Sequence, residues 1–184
     1  MEFVLHYRGE LKPNGGAQDK HHIRKIFHPQ LKTLWDQPPL KHFREILHPS
    51  EKYTVIRKLG DFTFAPLFAQ HLNFLAELEI TLLRPEIPGS IVRNGGDIDN
   101  RLKTLLDALA MPSQPNALPS SAKPDNDETP FFCVLEDDKL ITKISVQTYS
   151  LLEPVVSSSE VECTVLVRTK KLVKERGFGG LDDV

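Results

Sequence analysis

Cysteine is nearly missing: two residues, Cys133 and Cys163, in a chain of 184. They stand far apart, each inside an apolar run. That excludes a disulfide framework and a four-thiolate zinc site, and it leaves two buried structural thiols. No apolar run approaches the roughly 20 residues that span a bilayer, so no membrane partner is expected. The opening "MEFVLHYRGE" lacks the basic start and long apolar stretch of a signal peptide, and a cytoplasmic protein is expected. An excess of one charge is lacking too. Lys and Arg number 23 against 25 Asp and Glu, a formal charge of −2. A globally basic nucleic-acid binder is thereby excluded, and only local patches can set the potential.

What is present is ordinary for a globular chain: 40% hydrophobic and 26% charged residues, long enough for one domain over 1–184 with a core of its own. Charge is uneven. The runs Lys20 to Lys32 and Arg168 to Arg176 are basic, and Asp125 to Asp138 is acidic. A solvated face is the plain alternative for each. "FVLHYRG" (Phe3 to Gly9) alternates as a first strand, and two short helices are predicted near Pro29 to Trp35 and Leu40 to Leu47. "NFLAELEITLLRP" is the clearest strand, with Leu78, Ile80 and Leu82 on one face. Strands over Lys139 to Leu151 and Glu160 to Thr169 close the chain. The proline-rich stretch at about 111–130 is predicted to be a mobile surface insertion, and the tail at about 177–184 to fray. The order of elements predicts an α+β fold, a mixed β-sheet with helices packed on one side.

"GGDIDNRLKTLLDAL" (Gly95 to Leu109) concentrates the chemistry. Two aspartates, Asp97 and Asp99, flank one residue at the mouth of a helix with the apolar stripe Leu102, Leu105, Leu106 and Leu109. In an extended segment their side chains share a face. A hard cation such as Mg2+ takes one or two carboxylates and completes its shell with water and phosphate. Helix capping is the competing role for this pattern. Lys103 in the first turn can steady charge on a phosphate, or pair with Asp107 four residues on. "LEDDKLI" (Leu135 to Ile141) sets Glu136, Asp137 and Asp138 between apolar segments, as a second acidic site or a solvated turn.

Asp97-x-Asp99-Asn100, Lys103, Asp107-Ala108-Leu109 and the later Asp137-Asp138 together resemble the RusA family of Holliday junction resolvases, best from about Leu75 to Ile144. The resemblance implies a small dimeric endodeoxyribonuclease that cuts branched DNA in recombination and repair, with Mg2+ (or Mn2+) held by aspartates. Carried over, Asp97, Asp99 and Asp138 are the metal carboxylates, Lys103 is the catalytic lysine, Asp137 is a neighbouring acid, and Asp107 is structural. The chain is longer than the usual member, chiefly in its first third and at 111–130. Arg24, Lys25, Arg93, Arg101, Lys170 and Lys171 are the candidate DNA contacts. Two other functions fit the same residues: a flap or fork nuclease of a mobile element or defence locus, and a non-cutting DNA-binding module of the same fold.

Overall fold

A computed structural model describes residues 1–85 and 98–172. Its elements run β1 (Glu2–Glu10), α1 (Ala17–Trp35), β2 (Arg57–Leu59), β3 (Phe62–Phe68), β4 (Phe74–Arg84), α2 (Ile98–Leu109), β5 (Phe131–Leu135), β6 (Ile141–Ser150) and β7 (Glu160–Lys171), joined in part by short 3-10 turns. The strands form two sheets, β1-β7-β4-β6 and β2-β3-β5. In the first, β7 runs antiparallel to β1 and β4, while β6 runs parallel to β4. In the second, β3 is antiparallel to β2 and parallel to β5. The α+β class and the mixed pairing match the expectation; the division into two sheets does not.

Alternation along the strands decides which face is covered. In β4, Ala76, Leu78, Ile80 and Leu82 are buried, while Glu77, Glu79, Thr81 and Leu83 are only half-buried. β7 repeats the pattern with Val161, Cys163, Val165 and Val167. This covered face, α1 and α2 share one core, to which Ile23, Phe27, Leu31 and Leu105 each contribute a fully buried side chain. Such burial contributes about 1.5–3 kcal/mol per large side chain. The opposite face of the sheet is laced by ion pairs, including Arg168 with Glu2 and Glu79, and Lys170 with Glu77 at 3.5 Å. A smaller cluster of Phe62, Phe64, Leu118, Phe131 and Cys133 joins the second sheet to the 111–130 segment. Both cysteines are free and buried.

The structure moves one expected boundary and adds detail at two further places. The first helix begins at Ala17, not near Pro29, so most of the basic run Lys20 to Lys32 is helical. Ile23, Phe27 and Leu31 recur every four residues and bind it to the core. Pro29 inside it supplies no N–H to the turn before it, and Gln30 Nε2 donates to the Ile26 carbonyl nearby at 3.1 Å. Residues Leu40–Leu47 are helical as expected, as a kinked 3-10 helix whose Leu40, Ile46 and Leu47 pack half-buried against the core. The 111–130 segment is exposed along most of its length and anchored at a few points. Leu118 is 9% exposed in the smaller cluster, Glu128 is 5% exposed, and Lys25 binds Asp125 at 2.7 Å and Glu128 at 3.2 Å. Few large apolar residues were needed, because its acids dock on the basic side of α1. The frayed tail at 177–184 lies outside the described residues.

Candidate active site

The motif helix α2 is fixed at both ends by buried side chains. Arg101, 0% exposed, donates from Nη1 to the Leu11 carbonyl at 2.8 Å and from Nη2 to that of Ser158 at 3.2 Å. The Thr104 hydroxyl accepts from the Gly15 N–H at 2.8 Å and donates to the Lys12 carbonyl at 2.9 Å. A Cβ on Gly15 would come within 2.8 Å of Thr104 Cγ2, so this approach needs glycine. At the other end Arg24 donates to the Ala110 carbonyl at 3.0 Å and the Asp107 carbonyl at 2.7 Å. A guanidinium there satisfies carbonyls that the last turn leaves without partners and complements the helix dipole. Burial pulls Arg24 down to about 10, which still leaves it charged at neutral pH.

Arg24 and Arg101 are therefore corrected as DNA contacts: both are buried and spent on backbone carbonyls. Charge type suggested surface, whereas Arg24 serves the carbonyls at the α2 C-terminus and Arg101 ties the start of α2 to the loop carbonyls of Leu11 and Ser158. Lys25 is half-buried and held by Asp125 and Glu128. Lys170 pairs with Glu77 on the sheet face away from the helices, and Lys171 is exposed near the end of β7. Arg93 and Asp97 lie outside the described residues.

Asp99 is exposed in the first turn of α2, where its Oδ1 accepts the Asn100 N–H at 2.9 Å. Lys103 is exposed one turn further on. Asp107 follows at the same four-residue spacing and binds Lys20 at 2.7 Å. These three side chains lie along one stripe of the helix, each step rising about 6 Å. The stripe leads to a cleft of about 320 Å³ lined by Lys20, Arg24, Asp107, Glu136, Asp137 and Asp138 among others. The acidic turn reaches it because Ala110 bridges Leu135 and the Met111 N–H donates to the Leu135 carbonyl at 2.8 Å. Asp137 Oδ1 accepts the Lys139 N–H at 2.9 Å, and chiefly this bond holds its carboxyl below the usual carboxylate range. Asp138 is exposed.

Asp137 and Asp138 thus share a cleft with Asp107, while Asp99 does not line it and stands two turns away, about 12 Å along the helix from Asp107. Among the described residues, no three His, Cys, Asp or Glu side chains are grouped to hold a metal ion. Two adjacent carboxylates beside a polar cleft nonetheless fit a hydrated Mg2+, which needs only one or two of them. The cleft also contains what sequence reasoning missed: Lys20 and Asp107, the latter assigned to structure alone. Its four-residue spacing from Lys103 was the available clue.

No family model, curated protein or solved structure matches the chain.

Proposed function

We propose that this chain is a Mg2+-dependent endodeoxyribonuclease of the RusA type, hydrolysing phosphodiester bonds in branched DNA as a homodimer in recombination and repair. One observation carries it: Asp99, Lys103 and Asp107 form a continuous exposed-to-cleft stripe on α2, ending at the turn that presents Asp137 and Asp138. The resemblance names the same residues in the same order. Asp137 and Asp138 are the carboxylates of the cleft that would hold the cation, and Asp97 and Asp99 would supply carboxylates at the helix mouth.

Held by these carboxylates, Mg2+ would supply a water of lowered pKa and charge neutralisation at the phosphate. The chain's own part is positional. Asp137, kept ionised chiefly by the Lys139 N–H, would hold the cation together with Asp138 at the cleft. Lys103, exposed between the two acidic positions, balances the negative charge that grows on the phosphate oxygens during in-line attack. Lys20, fixed by Asp107, keeps one wall of the cleft cationic beside the acids.

Labelled four-way, flap and linear duplex DNA incubated with and without Mg2+ tests this reading. Four-way DNA should be cut only with metal, with Mn2+ able to replace Mg2+. Preferential cutting of flaps or forks would move the substrate to those structures, and inertness of all three with metal present would overturn the nuclease. A non-cutting DNA-binding module has one observation in its favour, the lack of a three-ligand group among the described residues. It requires DNA binding indifferent to Mg2+.

A further inference from the structure

A second cleft, of about 250 Å³, opens on the other side of α1, against the 119–123 stretch of the insertion. Its chemistry comes from Gln18, His21, His22, Lys25, Ser121 and Lys123, all able to donate hydrogen bonds, and no carboxylate lines it among the described residues. Lys123 is exposed and has no ion-pair partner among the described residues. Lys25 is already engaged by Asp125 and Glu128, which fix the insertion to the helix and temper the local field. The unusual member is His21. It is 5% exposed, its ring is wedged 5.5 Å from that of Phe62 and 5.8 Å from that of Phe131, and its buried Nδ1 has no hydrogen-bond partner among the described residues.

A buried ring nitrogen without a partner is destabilising, and it marks the His21 ring as held in place by its aromatic neighbours rather than by a hydrogen bond. We propose that this cleft binds a phosphate group, with Lys123 and exposed His22 at its mouth and Ser121, Gln18 and the edge of the His21 ring within. On the nuclease reading the phosphate belongs to the DNA backbone; a free phosphate or nucleotide is the other source of the same chemistry. Burial, and then the nearby Arg24 and Lys25 charges, push the His21 imidazole down to about 4, so at neutral pH it is uncharged. The insertion would then do what its position allows. It and α1 wall both clefts, so a strand held by its phosphate here lies about one helix width, roughly 10–12 Å, from the acidic cleft.

The test follows the histidine ring signals of the full chain by NMR, titrated separately with inorganic phosphate and with a single-stranded oligonucleotide in EDTA. Both His21 and His22 should shift saturably, and His21 should titrate at higher pH once the anion is bound, because a neighbouring negative charge favours imidazolium. Lys123→Ala should weaken phosphate binding about threefold to tenfold. It should also lower the salt slope of oligonucleotide binding by roughly one unit. Displacement of phosphate by the oligonucleotide identifies the DNA backbone as the source; phosphate binding that the oligonucleotide leaves untouched identifies the free anion. Rings that ignore both probes, or that respond identically in Lys123→Ala and Ser121→Ala, overturn the site. A chain inert toward DNA that still binds phosphate here overturns the nuclease reading and leaves the cleft standing.

Discussion

The two sides of α1 face walls of opposite chemistry. Lys20 and Arg24, four residues apart, line a cleft whose far wall is Asp137 and Asp138. Gln18, His22 and Lys25 line a cleft whose far wall is Ser121 and Lys123. The 111–123 segment contributes to both. A helix with its side chains is only about 10–12 Å across, so the sign of the surroundings changes within that width. A formal charge of −2 hides this arrangement. Local segregation shows what net charge does not: one cleft lined with carboxylates beside another that, among the described residues, has none.

The largest predicted effects fall on the acidic side. Asp138→Asn preserves shape and removes one charge, so metal-dependent cleavage should drop at least about a thousandfold, while DNA binding holds or tightens. Asp99→Asn should show the same separation if the helix mouth also serves the metal, and Lys103→Ala a smaller loss of roughly 10- to 100-fold. Single-turnover cleavage beside anisotropy in EDTA reads both quantities. Cutting by Asp138→Asn at the wild-type rate would falsify the assignment of this cleft.

Arg24→Met probes the helix between the clefts. It leaves the Ala110 and Asp107 carbonyls without their donor, each at about 1–3 kcal/mol, offset in part by no longer burying a charge. A net loss of about 2–3 kcal/mol in urea unfolding is expected. If stability were unchanged and DNA affinity fell instead, Arg24 would be a surface contact after all.

Acid should loosen the cationic side. The folded chain holds His21 at about 4, against roughly 6.5 in an unfolded chain. Between those values the unfolded state binds the extra proton, so stability present above pH 6.5 is lost as pH falls toward 4. The full difference amounts to about 3 kcal/mol, and His21→Gln should flatten that part of the pH profile. His28, also lowered by burial, adds to the same trend. Leu118→Ala, which strips the insertion's apolar anchor from Phe62, Phe64 and Phe131, should cost about 2 kcal/mol. Loss of the Lys123 effect in that variant would tie the second cleft to the insertion's packing.

How much of this was legible depends on whether the cause is local. β4 and β7 announce themselves because buried and half-covered residues alternate along them. The motif helix is readable from its leucines, and the acidic turn from Asp137-Asp138. β3 and β5 are not: "FTFAPLF" and "FFCVL" are almost wholly buried, and a continuous apolar run has no period to read. Arg101 and Arg24 were misplaced because a guanidinium buried against backbone carbonyls, of loops for Arg101 and of the α2 end for Arg24, is set by tertiary neighbours and not by spacing. Leu102 and Leu106 likewise stay half-buried while Arg101 and Thr104 take the covered side of α2. The insertion's anchors were hidden for a related reason. Its anchoring acids, Asp125 and Glu128, are meaningful only against Lys25, on a helix a hundred residues earlier.

The smallest effect should come from Lys170, which sharpens the comparison by its silence. Its ammonium is 3.5 Å from Glu77 on the open face of the first sheet, whereas both clefts lie on the helix side. DNA spanning the two clefts would not reach that face, and the paired carboxylate cancels much of the charge that remains. Lys170→Ala should therefore leave the salt slope of DNA binding unchanged, in contrast to the unit lost in Lys123→Ala. Stability should move by less than about 1 kcal/mol, the usual worth of an exposed pair. A slope that fell equally in both variants would mean that DNA crosses the open sheet face too, and that the division between the sides of α1 does not set its path.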